Sequence, residues 1–132
     1  MGLDKVLVIA QNPGPGQDFR KKDNGVRGGS TIGKMYEWMD WIGVNFFSFS
    51  NTYPHPGQFT KKDIDYDRLY SISKGYNKVI ALGNIASEAL TKINISHFKL
   101  PHPSGLNRKL NDKAYVQKVL SECKEYYENS NR

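Results

Sequence analysis

One cysteine, Cys123, stands among the 132 residues. A single thiol closes no internal disulfide and completes neither a four-cysteine zinc site nor a four-cysteine iron–sulfur cluster. Long apolar runs are missing too: none reaches the roughly 20 residues that cross a bilayer. The opening MGLDKVLVIAQ is too short in its apolar part, and wrongly flanked, for a signal peptide. The three histidines, His55, His97 and His102, have neither a helical partner nor a cysteine beside them, so no metal is expected. No serine sits in anything like a nucleophile elbow. In QNPGPGQD (11–18), Gly14 and Gly16 fit the first two positions of the dinucleotide fingerprint, but Phe19 occupies the third. No Walker lysine follows either. These absences exclude several classes of enzyme. They leave a protein without membrane span, metal or cofactor, expected in a reducing compartment, most simply the cytoplasm.

What the chain has in excess is positive charge. Lys and Arg number 19 against 13 Asp and Glu, a formal net charge of +6. Such a balance suits a polyanion, nucleic acid being the commonest, although a merely soluble surface explains it as well. The length is right for one domain over 1–132 with a sizeable core. No repeat, low-complexity tract or linker divides it, and a monomer is expected.

Four segments read as strands. KVLVIA (5–10) and KVIALG (78–83) are short, β-branched and almost continuously apolar, as in parallel strands buried on both faces. NFFSFSN (45–51) alternates more, and HFKL (97–100) is the weakest of the four. Helical patterns lie between and after them. STIGKMYEWMDWIG (30–43) offers Ser30 or Thr31 as a cap, a core stripe at Met35, Trp38, Met39 and Ile42, and a stop at Gly43. NIASEALTKI (84–93) starts at Asn84 as a cap. NDKAYVQKVLSECKEYYENS (111–130) directs Ala114, Val116, Val119, Leu120 and Cys123 at the core, and a further helix starts near Asp63. Strands alternating with helices predict an α/β fold: a three-layer αβα sandwich with a short, mostly parallel four-stranded sheet. Ligands of such sheets sit at the carboxyl ends of the strands, so the segments after each strand hold the candidate site.

Asn12 follows the first strand in a turn stiffened by prolines and glycines. Asn51 ends the second; its amide offers a donor and an acceptor side by side, which suits a nucleobase edge, although an Asx turn ahead of the prolines explains it too. Gly83 and Asn84 turn the third strand into a helix N-terminus, which suits a phosphate, while simple chain reversal explains it equally. The fourth strand runs into PHPSGLNR (101–108), where two prolines fix the backbone around His102 and Gly105 frees it before Leu106. The topology brings Asn12, Asn51 and His102 to one edge.

With these residues in place, the chain resembles the uracil-DNA glycosylase superfamily. AQNPGPG (10–16) is similar to its first motif and HPSGLNR (102–108) to its second, the latter with a Gly–Leu–polar–Arg ending close to the mismatch-specific branch. KVIALGNIASEAL (78–90) and FSFSNTYPHPG (47–57) resemble segments of its thermophile-type branch, without that branch's cluster cysteines. The resemblance implies hydrolysis of the N-glycosidic bond of a base, uracil first, flipped out of single- or double-stranded DNA. It assigns His102 to the departing base, Asn51 to the base edge and Asn12 to the water. Asparagine orients water without taking its proton, and Asp18 is the alternative acceptor. The stretch 23–31 has no aromatic residue, which leaves Phe19, or Arg27 by guanidinium stacking, to lie under the base. Ser104, Gly105, Leu106 and Arg108 meet the DNA, with Leu106 as the wedge that fills the vacated stack. A non-catalytic relative that binds a base or DNA through the same residues is the second reading. A small nucleotide-binding α/β domain unrelated to repair is the third.

Overall fold

Val6–Ala10 (β1) and Lys78–Leu82 (β3) are buried along their whole length, on both faces, as continuous apolar runs require. The computed structural model describes residues 5–11, 31–55, 58–103 and 108–129. Ser48–Asn51 (β2) and Phe98–Leu100 (β4) complete a four-stranded sheet in the order β2-β1-β3-β4, and every pairing is parallel. β2 is shorter than NFFSFSN suggests: Asn45–Phe47 precede it, and Phe46 is exposed.

Strand alternation divides the core. Val6, Val8, Ala10, Ile80, Leu82 and Leu100 face Thr31–Ile42 (α1) and Lys113–Asn129 (α4). Leu7, Ile9, Val79 and Ala81 face Tyr66–Ser73 (α2) and Asn84–Lys92 (α3). The fold is therefore an αβα sandwich, with two helices on each face among the described residues. No described helix is long and apolar enough to cross a membrane.

The expected stripe of α1, Met35, Trp38, Met39 and Ile42, is buried. Gly43, at φ 100°, ends the helix: its N–H and that of Val44 both donate to the Met39 carbonyl, at 3.0 and 2.9 Å. In α4, Leu120 and Cys123 are buried, and Val116 and Val119 are partly so. Ala114, expected in the core, is exposed, because it lies two residues before Val116 and so on the opposite side of the helix. Burial pushes the Cys123 thiol up to about 12, which leaves it an inert apolar group. Two helix starts differ from expectation. Asp65, not Asp63, caps α2 by accepting from the Arg68 backbone N–H at 3.0 Å. Asp63 instead closes the short 3-10 turn Lys61–Asp63, accepting from the Thr60 N–H at 2.8 Å. Gly83 holds the cap position of α3, and Asn84 is its first helical residue.

β4 is too short to cover all of β3. It pairs with Ile80–Leu82 and leaves Val79 without a strand neighbour on that side. Tyr126, reaching back from α4, fills the place: its hydroxyl accepts from the Val79 N–H at 3.1 Å and donates to the Val79 carbonyl at 3.3 Å. Lys78 does the reverse. Although wholly buried, its ammonium donates at 2.7 Å to the Tyr127 carbonyl, in the last turn of α4, where carbonyls lack helical partners and the helix dipole favours a cation. Tyr126→Phe would strand two buried backbone groups. It should cost about 1–3 kcal/mol in urea denaturation, with the native circular-dichroism spectrum retained.

Candidate functional site

From β1 the chain passes to β2 on one side, then back across β1 to β3 and on to β4. The reversal falls between β1 and β3, and open parallel sheets bind ligands at the carboxyl end of such a point. β1 leaves the sheet there through Gln11, β3 leaves through Gly83, and Asn51 and His102 stand at the ends of the two outer strands.

Gly83 is what the β3 exit depends on. Its φ of 91° and ψ of 175° belong to backbone space that is essentially glycine's alone. Its N–H donates to the Leu100 carbonyl at 2.8 Å, which draws the ends of β3 and β4 together. The bare Cα then forms a seat for the histidine. A Cβ added to Gly83 would lie 3.2 Å from the His102 Cβ and 3.4 Å from its Cδ2. Pro101 and Pro103 are both buried, with His102 half-buried between them. The prolines thus anchor the segment, and the imidazole lies against the glycine at the strand ends. Burial lowers the His102 pKa, so near neutral pH the ring is uncharged, with one N–H donor and one acceptor.

At the far edge of the sheet, Asn51 ends β2 opposite Ala10. Two strand spacings, roughly 10 Å, separate the ends of β2 and β3. The chain after Asn51 is tied to the exit of β1. Thr52 N–H donates to the Ala10 carbonyl at 2.9 Å, Tyr53 N–H to the Gln11 carbonyl at 3.1 Å, and the buried Thr52 hydroxyl to the same Gln11 oxygen at 2.6 Å. Arg68 of α2 donates from Nη1 to the Asn51 carbonyl at 3.2 Å. Neither Thr52 nor Arg68 stands out in the sequence, since a strand-end threonine and an arginine in an Asp-rich helix start are ordinary surface features.

The structure therefore brings His102 against Gly83 and puts Asn51 on the same edge of the sheet. Asn84 accepts from Lys99 Nζ through its side-chain oxygen at 2.6 Å, so this amide is already engaged at the α3 N-terminus. Arg108 opens the 3-10 turn Arg108–Asn111 that leads to α4. Asn12, Phe19, Arg27, Ser104, Gly105 and Leu106 lie outside the described residues, as does Asp18. His97 is a structural histidine: Nδ1 meets the Ile95 carbonyl and Nε2 meets Ser87 Oγ, each at 2.8 Å, pinning α3 to the entry of β4. Among the described residues no three His, Cys, Asp or Glu side chains gather as a metal site would need. Compared with family models, curated proteins and solved structures, the chain matches none.

Two outcomes follow from the seat. Gly83→Ala places a side chain in forbidden backbone space and against the imidazole. It should cost on the order of 1–3 kcal/mol and move the His102 ring resonances, which melting and histidine-selective NMR would record. The pH outcome has a definite sign. The folded pKa of His102 lies below the ordinary value of 6.5, so the unfolded chain binds the proton first. Stability from this group is complete above pH 6.5, declines as pH falls toward the lowered value, and is constant below it. His102→Gln should flatten that part of the stability profile between pH 7.5 and 5, and an unchanged profile would contradict the assignment.

Proposed function

We propose that the chain is a DNA glycosylase that hydrolyses the bond between deoxyribose and a flipped, non-standard pyrimidine, uracil first, without metal or cofactor. The observation that carries the reading is the seated, uncharged His102 at the carboxyl end of a parallel sheet, with Asn51 on the same edge. Rigid placement suits a group that must meet charge as it forms. When the glycosidic bond breaks, its electron pair leaves with the base while the sugar gains oxocarbenium character. A neutral imidazole N–H donates to the charged oxygen of the departing base and lowers the barrier without giving up its proton. Water supplies hydroxide to the sugar carbon and, in the end, a proton to the base nitrogen. Asn12 orients that water in this reading, and Asn51 presents its amide to the base edge.

Charge supports a DNA partner. Most of the net positive charge lies between β1 and α1 and from β4 to the first residue of α4. The first carries Arg20, Lys21, Lys22 and Arg27 against Asp18 and Asp23. The second carries Lys99, Arg108, Lys109 and Lys113 against Asp112. In the sequence the first stretch follows the carboxyl end of β1 and the second runs on from that of β4, and in this reading an anionic strand is drawn to the edge where those strands end. One feature of the sequence favours a non-catalytic base-binding relative instead: Asn12 cannot act as a general base.

The deciding experiment incubates the protein with single- and double-stranded oligonucleotides carrying uracil, hypoxanthine, xanthine or mismatched thymine, then cleaves abasic sites with alkali. Strand breaks at uracil are expected. His102→Ala should lower the single-turnover rate on the order of a hundredfold or more while leaving DNA affinity within a few-fold. Asn51→Asp exchanges an amide donor for an acceptor and should move base preference toward cytosine. Tight, salt-sensitive binding with no abasic product at high protein concentration would establish the binder in place of the enzyme.

A further inference from the structure

Next to Asn51 the structure holds a second set of groups that the hydrolysis does not use. Arg68 lies half-buried in the first turn of α2, and its guanidinium has five N–H donors. One of them reaches the Asn51 carbonyl, and that is the only acceptor the guanidinium meets among the described residues. No described carboxylate pairs with it. Of the nearby acids, Asp63 serves the Thr60 N–H, Asp65 serves the backbone N–H of Arg68 itself, and Asp67 is exposed. A half-buried guanidinium with donors to spare favours an acceptor that brings negative charge, and its fork matches two phosphate oxygens.

Aromatic rings continue from the same strand end. Tyr53 stacks on Phe59 with centroids 4.8 Å apart and planes 13° apart, and meets the His55 ring edge-on at 5.5 Å. Phe59 packs against the core beneath α2 and α3, so the stack is anchored from below, while Pro54 and His55 are exposed. The Thr52 and Tyr53 bonds to the exit of β1 hold this aromatic surface in fixed relation to Asn51. Flat rings beside a cation are the parts with which proteins hold single-stranded nucleic acid regardless of sequence.

We infer that this corner is a subsite for the nucleotide adjacent to the one whose base Asn51 reads: that neighbour's base lies on the Tyr53–His55 surface and its phosphate takes the free donors of Arg68. The inference rests on the proposed reading of Asn51. It adds a gripping site for the strand on the β2 side of the sheet, at the margin opposite β4.

The probe is a fluorescein-labelled single-stranded thymidine oligomer. At its centre is 2′-fluoro-deoxyuridine, which resists glycosidic cleavage, and a 2-aminopurine stands beside it. Arg68→Gln should weaken binding about tenfold at low salt and reduce the slope of log affinity against log salt by about one. His55→Ala and Tyr53→Leu should each relieve the quenching of 2-aminopurine that stacking produces in the wild type. Lys118→Ala removes an exposed charge from α4, on the opposite face of the sheet, and should change neither readout. If Tyr53→Leu melts early, His55→Ala carries the stacking test alone, since that ring is on the surface. Affinity, slope and quenching unchanged in Arg68→Gln and His55→Ala, with the wild type binding the oligomer and cleaving ordinary uracil oligonucleotides, would overturn the subsite and leave the glycosylase reading standing. No binding of the oligomer by the wild type, even at low salt, would overturn the subsite, and no abasic product from uracil in single- or double-stranded oligonucleotides would remove the glycosylase reading as well.

Discussion

β1 and β3 have no face to give to water. Nine of their ten residues are apolar and all ten are buried, so each side of the sheet must be roofed by helices. With β1 and β3 adjacent at the centre, right-handed crossovers in opposite directions carry α1 to one face and α2 and α3 to the other. The same reversal falls at the carboxyl ends of β1 and β3, where open parallel sheets bind their ligands, so the position of the candidate site is a by-product of how the core is covered.

A sheet of four short strands leaves backbone groups unmatched at its margins, and the chain satisfies them with side chains drawn from far away. The Tyr126 hydroxyl replaces the residue that β4 lacks. Lys78 spends its buried charge on a terminal carbonyl of α4. Arg68 covers the last carbonyl of β2, and the Thr52 hydroxyl helps to close the exit of β1. The first three of these bonds join a helix to a strand, so the margins are also where helices are fixed to the sheet. A buried donor or acceptor left unmatched costs about 1–3 kcal/mol, a large share of the stability of a domain this size.

The same economy shapes the functional edge. A glycine in backbone space closed to other residues brings β3 and β4 together and makes room for His102, and buried prolines on either side restrict how the ring can move. Rigid placement lowers the reorganisation needed when charge appears, the property that an electrostatic catalyst and a base-binding site both require. Partial burial keeps the ring uncharged near neutrality, so it offers a donor without adding a full positive charge to the strand ends. At the other margin of this edge, Asn51 is held through its backbone carbonyl by Arg68 and by its pairing with Ala10.

The sequence by itself determined the layering. Two apolar runs, a stripe at Met35, Trp38, Met39 and Ile42, and Leu120 with Cys123 on the last helix are local periodicities, and local periodicity settles which face is buried. It also placed Asn51 and His102 at strand ends on one edge, because parallel crossovers leave no other arrangement. What only the tertiary structure decided are the pairings between distant residues. Lys78 reads as the polar start of a strand, yet it is wholly buried because a carbonyl 49 positions away accepts its proton. Ala114 reads as core and is exposed, because once Val116, Val119, Leu120 and Cys123 face the sheet a residue two positions before Val116 lies on the other side of the helix. Gly83 reads as an ordinary turn until His102 is found against it, and Arg68 as an ordinary surface charge until it meets Asn51. A sequence pattern reports what each segment prefers alone, whereas these contacts exist only once the sheet has brought the segments within hydrogen-bonding distance.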